Sequence, residues 1–175
     1  WLQTPDTISH FVNLALHGLN SGLVALLAQR LLGANPSNRV IYALMAGCVY
    51  AMHPAMVEGS VWIAGRFDLM VTAFILLAIL ADSAIASTRR RAVAVGTCYF
   101  LGLLSKEMAF TLPGILLIMQ LARMPDWSLK TFREQGHGMV QGAMALALLA
   151  ALAIRIAALG YILKPDEGMA FLDLG

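Results

Sequence analysis

The sequence predicts an all-α integral membrane protein, built as a polytopic bundle of about six helical spans. Hydrophobic residues make up 59% of the 175 residues and charged residues only 13%, whereas a soluble domain carries about 25% charge. The mean hydropathy is +0.75, and the apolar residues form runs close to the length of a membrane span. Basic residues cluster in alternate connections between these runs, as the positive-inside rule predicts.

Six apolar segments follow one another along the chain. They are 10–32, 40–57, 69–87, 92–105, 108–122 and 139–163. The turn-forming cluster 33–38 ends the first segment, and the basic triplet 89–91 follows the third. With no fixed-period repeat and no low-complexity linker, the sequence predicts a single domain.

The fourth and fifth segments are predicted as a hairpin because together they are too long for one ordinary span. Residues 92–122 number 31, interrupted only at 105–107, and a helix rises about 1.5 Å per residue. A turn at Lys106 and Glu107 places the basic clusters before and after the hairpin on one face. Pro113 then lies inside the returning helix, where a kink is tolerable if neighbouring groups re-satisfy the freed carbonyl. Eight of the twelve basic residues fall on the inner face, and both ends of the chain fall outside.

A polar stripe follows one side of the first segment. His10, Asn13, His17 and Asn20 fall within an arc of about 80° on a helix, so we expect them to face the interior of the bundle. Asn13 and Asn20 are best interpreted as interhelical hydrogen-bonding residues. His10, nearest the outer surface, is the functional candidate of the four.

A denser polar cluster lies between the second and third segments. It contains His53, Glu58, Arg66 and Asp68, and ionisable residues at this depth indicate a functional site. Glu58 suits a general base or a sugar ligand, and the planar guanidinium of Arg66 suits a phosphate diester. An ion pair that ties a re-entrant loop remains an equal alternative for both. For Asp68, helix capping stands beside a role in binding.

Further charges are predicted to lie in the outer half of the membrane domain. Lys106 and Glu107 form the tip of a hairpin short enough to end below the membrane surface, which favours a cavity role over a snorkelling turn. Arg155 in the last segment is a candidate for a second phosphate contact, with snorkelling as the alternative.

Several function classes are excluded by missing motifs. The sequence has no run of basic residues interleaved with aromatic residues, the pattern that is typical of nucleic-acid binding. The sequence contains no dinucleotide-binding, phosphate-loop, zinc-protease or serine-hydrolase motif. Two histidines seven residues apart in the first segment and two isolated cysteines do not form a metal centre, so no metal is assigned.

Four strings resemble, in order and spacing, those of membrane O-mannosyltransferase-like proteins that often carry C-terminal tetratricopeptide repeats. They are HFVNLALHGLN at 10–20, MHPAMVE at 52–58, GRFDL at 65–69 and LSKE at 104–107. The resemblance extends over residues 9–123, and the HP-x-x-VE and GR-x-D pair is its most specific part. It implies a GT-C type fold with short helices or loops on the outer face.

The resemblance also implies an activity. Such enzymes move a sugar, here mannose-like, from a polyprenyl-phosphate donor to a hydroxyl of a protein or glycan acceptor in an extracytoplasmic cavity. The expected partners are therefore membrane lipid, the lipid-linked sugar and the acceptor. No cofactor is implied beyond the donor, and dependence on a divalent metal stays open. We expect a bacterial inner membrane, or the endoplasmic reticulum membrane in a eukaryote.

The phosphate-binding residues carried over by the resemblance are cationic. Arg66 and Lys106 are expected to hold the departing phosphate, because negative charge grows there in the transition state. Arg155 lies outside the resembling residues and is a further candidate only from its position in the last segment.

The remaining candidates shape the sugar and acceptor pocket. They are His53, Glu58 and Glu107, of which the two glutamates are also catalytic candidates. In related enzymes the essential acid lies in the first outer loop, which would precede His10. The chain is therefore expected to be a partial membrane domain, 1–175, without the first span, that loop and the repeats, and to be inactive alone. A transporter and a non-catalytic membrane scaffold remain alternatives.

Overall fold

The computed structural model describes residues 6–31, 36–62 and 65–159, which form a helical bundle without strands in these ranges. The helices are α1 (Asp6–Leu31), α2 (Pro36–Met52), α3 (Pro54–Val61), α4 (Arg66–Ala84), α5 (Thr88–Ser105), a 3₁₀ helix (Glu107–Thr111), α6 (Leu112–Ala122), α7 (Leu129–Glu134) and α8 (His137–Leu159). Each of the six predicted segments overlaps one of the longer helices, although the segment 40–57 also includes part of α3 and the segment 108–122 includes most of the 3₁₀ helix. The last four residues of the segment predicted over 139–163 lie outside the described residues.

Proline positions set two of the helix boundaries. His53 separates α2 from α3 because the residue before a proline is disfavoured in the α region. This break divides the segment predicted over 40–57. α6 begins at Leu112, which places Pro113 in its first turn, where the missing N–H leaves no hydrogen bond unmade.

Among the residues that the structure describes, three helices are long and apolar enough to cross a membrane: Ile8–Leu31, Arg66–Ala84 and His137–Ala158. A shorter apolar helix covers Glu107–Ala122. Large hydrophobic side chains such as Phe11, Val49 and Leu146 are exposed on the bundle, as expected of a surface that faces lipid. These features fit an integral membrane protein. A total of six spans and a GT-C architecture remain predictions.

The bundle is held together by small-residue contacts and an apolar core. α1 packs against α2 and α4, and α5 packs against α4 and α8. A Cβ atom built on Gly96 of α5 would lie 3.3 Å from the Cβ of Ala143 on α8, so glycine permits this close approach. Tyr99 and Met144 are buried in the core between these helices.

Alternating helix directions give the bundle two distinct ends. α4 runs from Asp68 to Asp82, about 21 Å along the axis, and α5 returns to Lys106, which contacts Asp68. We call the end with Asp68 and Lys106 the site end. The opposite end, with the α5 N-terminus and the connector 123–136 between α6 and α8, is the basic end.

Candidate functional site

A cavity of about 590 Å³ opens at the site end of the bundle. Its wall combines apolar residues with aromatic, hydroxyl and charged groups, among them Tyr50, Trp62, Asp68, Thr72, Lys106 and Thr111. The volume is within the range of small-molecule sites, which are mostly apolar with a few placed polar groups. The wall of this cavity thus includes residues from the segment around α3 and from the turn after α5. The sequence predicts both segments on the outer face.

An ion pair between Lys106 and Asp68 spans this wall. Lys106 has an extended backbone between the end of α5 and the 3₁₀ helix, which directs its side chain out of the helical path. Asp68 lies in the first turn of α4, where the helix dipole also favours a negative charge. The two side chains are 36% and 45% exposed, so both remain accessible to a ligand. Asp68 therefore connects α4 to the end of α5, whereas the N-cap position of α4 is occupied by Gly65, so the capping role considered for Asp68 is wrong.

The polar stripe of α1 holds the segment that forms this wall. The Nδ2 group of Asn13 donates to the carbonyl of Trp62 at 2.8 Å, and that of Asn20 donates to the carbonyl of Leu69 at 2.9 Å. Both asparagine side chains are buried. His17 is buried, stacks on Tyr50 and contacts the carbonyl oxygen of Ala51 at 3.1 Å. These bonds match the interhelical role predicted for the asparagines.

Arg66 lies beside this stripe. Its Nε–H donates to the Oδ1 atom of Asn13 at 3.4 Å, and the residue is half-buried. The hydrogen bond uses one edge of the guanidinium, and the two terminal Nη groups remain for an anion. The polar stripe of α1 predicted that Asn13 forms a hydrogen bond inside the bundle. The sequence did not identify Arg66 as a partner.

A second, smaller cavity of about 240 Å³ adjoins the site between α5 and α8. Lys106, Glu107 and Arg155 line it together with the apolar side chains of Leu104, Phe110 and Leu152. Lys106 lines both cavities. The structure thus brings together three of the predicted site residues, although Lys106 and Arg155 are 49 positions apart in the chain.

The other candidates are placed less centrally. His53 is exposed in the turn between α2 and α3, and its neighbours Tyr50 and Ala55 line the larger cavity. His10 is exposed on α1, unlike the other members of the stripe. Glu58 belongs to α3, but its side chain lies outside the described residues.

A buried polar network at the basic end was missed by sequence reasoning. The Oδ1 atom of Asp82 accepts from Gln120 at 3.0 Å, and its Oδ2 atom accepts from Arg123 at 3.3 Å. Gln141 on α8 donates to the Oε1 atom of Gln120 at 3.1 Å. The signal was an acidic residue within an apolar segment, which has to find a partner inside the bundle.

Metal binding has no evident ligand set in the part of the chain that the structure describes. No group of three histidine, cysteine, aspartate or glutamate residues comes close enough there to hold an ion.

Part of the chain is similar to a mammalian protein, the Protein O-mannosyl-transferase TMTC2 of Mus musculus. The two are 31% identical over 113 residues, which is 61% of this chain and 13% of that protein. No protein-family model matches the chain, and no solved structure matches it. The similarity agrees with the family that the four motifs resemble.

Proposed function

We propose that this chain forms part of the membrane domain of a glycosyltransferase. It would move a mannose-like sugar from a polyprenyl-phosphate donor to an acceptor hydroxyl on the extracytoplasmic side. The observation that carries the proposal is the position of Lys106, which lines two adjoining cavities and pairs with Asp68 in the larger one.

The smaller cavity suits the phosphate and the first part of the lipid. Lys106 and Arg155 supply two cations at its wall, and Leu104, Phe110 and Leu152 supply apolar surface. When the bond between sugar and phosphate breaks, negative charge grows on the departing phosphate. Fixed cations at that position lower the energy of the transition state more than that of the bound donor.

The larger cavity suits the sugar and the acceptor. Trp62 offers an aromatic surface, and the hydroxyls of Thr72 and Thr111 and the carboxylate of Asp68 offer hydrogen-bonding partners for sugar hydroxyls. Arg66, oriented by Asn13, adds a guanidinium near the same end of α4.

The acceptor hydroxyl has to lose a proton during transfer, and this step requires a base. Glu107 lines the smaller cavity beside Lys106, which suits a role in positioning the donor. Glu58 on α3 is the second carboxylate candidate. By analogy with related enzymes, we assign the main base to a first outer loop that would precede α1, and regard both glutamates as supporting residues.

Transfer of labelled sugar tests this proposal. In membranes that express the protein at its full natural length, polyprenyl-phosphate-linked mannose should label an acceptor. Lys106→Gln should lower the rate about 100-fold, the usual loss when one transition-state contact to a developing anion is removed. Lys130→Gln, which removes an exposed lysine at the basic end, is the matched control and should transfer normally.

Two results would contradict the assignment. Normal transfer by Lys106→Gln would remove the phosphate-binding role of that residue. Passage of a soluble substrate across proteoliposomes, without donor-dependent labelling, would favour a transporter instead.

A further inference from the structure

The connector 123–136 and the N-terminal turn of α5 form one continuous surface at the basic end. Arg91 on α5 donates from its Nη2 group to the carbonyl of Gln135. Gly136, whose φ is +75°, packs directly against Thr88. At the start of the connector, Arg123 pairs with Asp82 of α4. The connector is therefore held at both of its ends.

Two large apolar side chains of the connector point away from the bundle. Trp127 is 86% exposed and Leu129 is 82% exposed, although both are residues that a protein normally covers. They flank Ser128, whose hydroxyl accepts from the backbone N–H of Lys130 and thereby caps α7. This cap fixes the direction in which the short α7 leaves the loop. Trp127 and Leu129 thus form a small apolar tip at the end of the bundle.

Cationic residues surround this apolar tip. Residues 88–91 and 123–136 contain six basic and two acidic residues, a net excess of four positive charges. Arg89, Arg90, Lys130 and Arg133 are exposed, as are the acids Asp126 and Glu134. The ion pair of Lys130 and Glu134 is long, at 3.9 Å, and open to solvent, so it leaves the lysine accessible to an anion. We call residues 88–91 and 123–136 the basic surface.

We propose that the basic surface binds the headgroups of anionic phospholipids, with Trp127 and Leu129 inserted among them. The surface lies where apolar helices end: α8 is long enough to cross a membrane and begins at His137, directly after the connector. That position corresponds to headgroup depth, the level at which tryptophan is enriched in membrane proteins. Clustered lysine and arginine residues at this depth attract anionic lipids, and an inserted aromatic tip strengthens the contact. The chemistry selects an anionic lipid surface over a zwitterionic one.

Tryptophan quenching tests the proposal. Trp127 becomes the sole tryptophan of these 175 residues once Trp1 and Trp62 are replaced by phenylalanine, and any tryptophan outside them is replaced likewise, so that the fluorescence of Trp127 can be followed in bilayers. Brominated phosphatidylglycerol should quench Trp127 more strongly than brominated phosphatidylcholine at the same mole fraction. The variant R89Q/R90Q/K130Q/R133Q should reduce this preference at least about fivefold, the contribution of a single basic residue near an anionic surface. Arg91 and Arg123 are left unchanged because both have partners inside the protein.

A matched variant separates lipid binding by the basic surface from a general effect of the protein's positive charge. R30Q/R39Q removes two exposed arginines that lie near the turn between α1 and α2, outside the basic surface, and should keep the full preference. Equal quenching by the two brominated lipids would overturn the proposal, as would a preference that survives the four substitutions. Loss of the preference on addition of millimolar glycerol phosphate would identify a soluble anion as the ligand instead of the lipid surface. Trp127 fluorescence insensitive to both lipids would show that the tip faces a protein or water.

Discussion

At the residue scale, polar side chains in this chain differ in how completely the bundle surrounds them. Asn13 and Asn20 are fully buried and bind backbone carbonyls, whereas Lys106 and Asp68 are partly open to the cavity that they line. The first kind of contact fixes the positions of helices. The second kind leaves charges accessible to a ligand, and it is therefore where we expect substitutions to change activity more than stability.

Arg66 combines both kinds of contact, and this leads to a prediction. Its Nε–H donates to Asn13, which leaves the Nη groups for an anion, whereas lysine has one ammonium for both tasks. Arg66→Lys should therefore lower sugar transfer by about tenfold or more, and Arg66→Ala should lower it at least as much. Arg66→Ala also leaves the buried Oδ1 atom of Asn13 without its donor, at a cost of about 1–3 kcal/mol in stability, so transfer is compared at equal amounts of folded protein. Full transfer by Arg66→Ala would exclude Arg66 from the site.

Asp82 is a residue whose replacement should change stability. Its side chain is 1% exposed, and Asp82→Ala leaves the buried amide of Gln120 without its acceptor, at a cost of about 1–3 kcal/mol. Asp82→Asn keeps an oxygen for Gln120 and should recover part of the loss. Denaturation of the purified protein in detergent measures both. Asp126→Ala, an exposed acid at the same end, is the control, and an equal effect of the Asp82 and Asp126 variants would refute the role of the network.

At the element scale, the positions of the helices could be predicted from the sequence, but their contacts could not. The apolar runs and the turn clusters mark the helices because both depend on residues close together in the chain. The sequence could likewise predict the break at Lys106, yet not that Lys106 meets Asp68, 38 positions earlier, or Arg155. Such contacts depend on the order and rotation of packed helices, which one sequence does not reveal. Asp82 was missed for the same reason: its partners Gln120 and Arg123 lie 38 and 41 positions later in the chain.

The packing of α5 against α8 depends on a small residue. Gly96→Val adds side-chain atoms where Ala143 already lies within 3.3 Å of the Cβ position, so the helices have to separate. We expect a loss of about 1–3 kcal/mol in stability, measured by unfolding in detergent. Gly142→Val is the matched control on α8, since nothing lies within 4 Å of its Cβ position. A Gly96 variant as stable as the Gly142 variant would show that α5 and α8 are not tightly packed.

At the scale of the whole molecule, the arrangement of charge agrees with one orientation in a membrane. Basic residues dominate the end formed by the α5 N-terminus and the connector, and the candidate site lies at the other end, beyond about 21 Å of α4. The positive-inside rule assigns the basic end to the cytoplasm. In this proposed orientation the candidate site faces the extracytoplasmic side, as the proposed transfer from a lipid-linked donor requires.

Cysteine accessibility tests this orientation and the number of spans. In a background in which Cys48 and Cys98 are serine, Met108→Cys at the site end should react with an impermeant maleimide from outside. Ser87→Cys and Ser128→Cys at the basic end should react only after the membrane is opened. If positions 108 and 128 are labelled from the same side, α6 does not cross the membrane and the total of six spans is wrong.

The position of Lys106 between two cavities has a consequence for the order of events. Its ammonium neutralises Asp68 on one side and is available to an anion on the other. An anion that draws Lys106 into the smaller cavity leaves Asp68 as an unpaired carboxylate facing the larger one, and thereby strengthens that carboxylate as a hydrogen-bond acceptor. The free energies of binding at the two cavities are then linked, and the linkage is reciprocal: whatever occupies one changes the affinity of the other by an equal factor. A donor bound in the smaller cavity would in this way prepare the larger one for a hydroxyl, so that an acceptor arriving without a donor finds a poorer site.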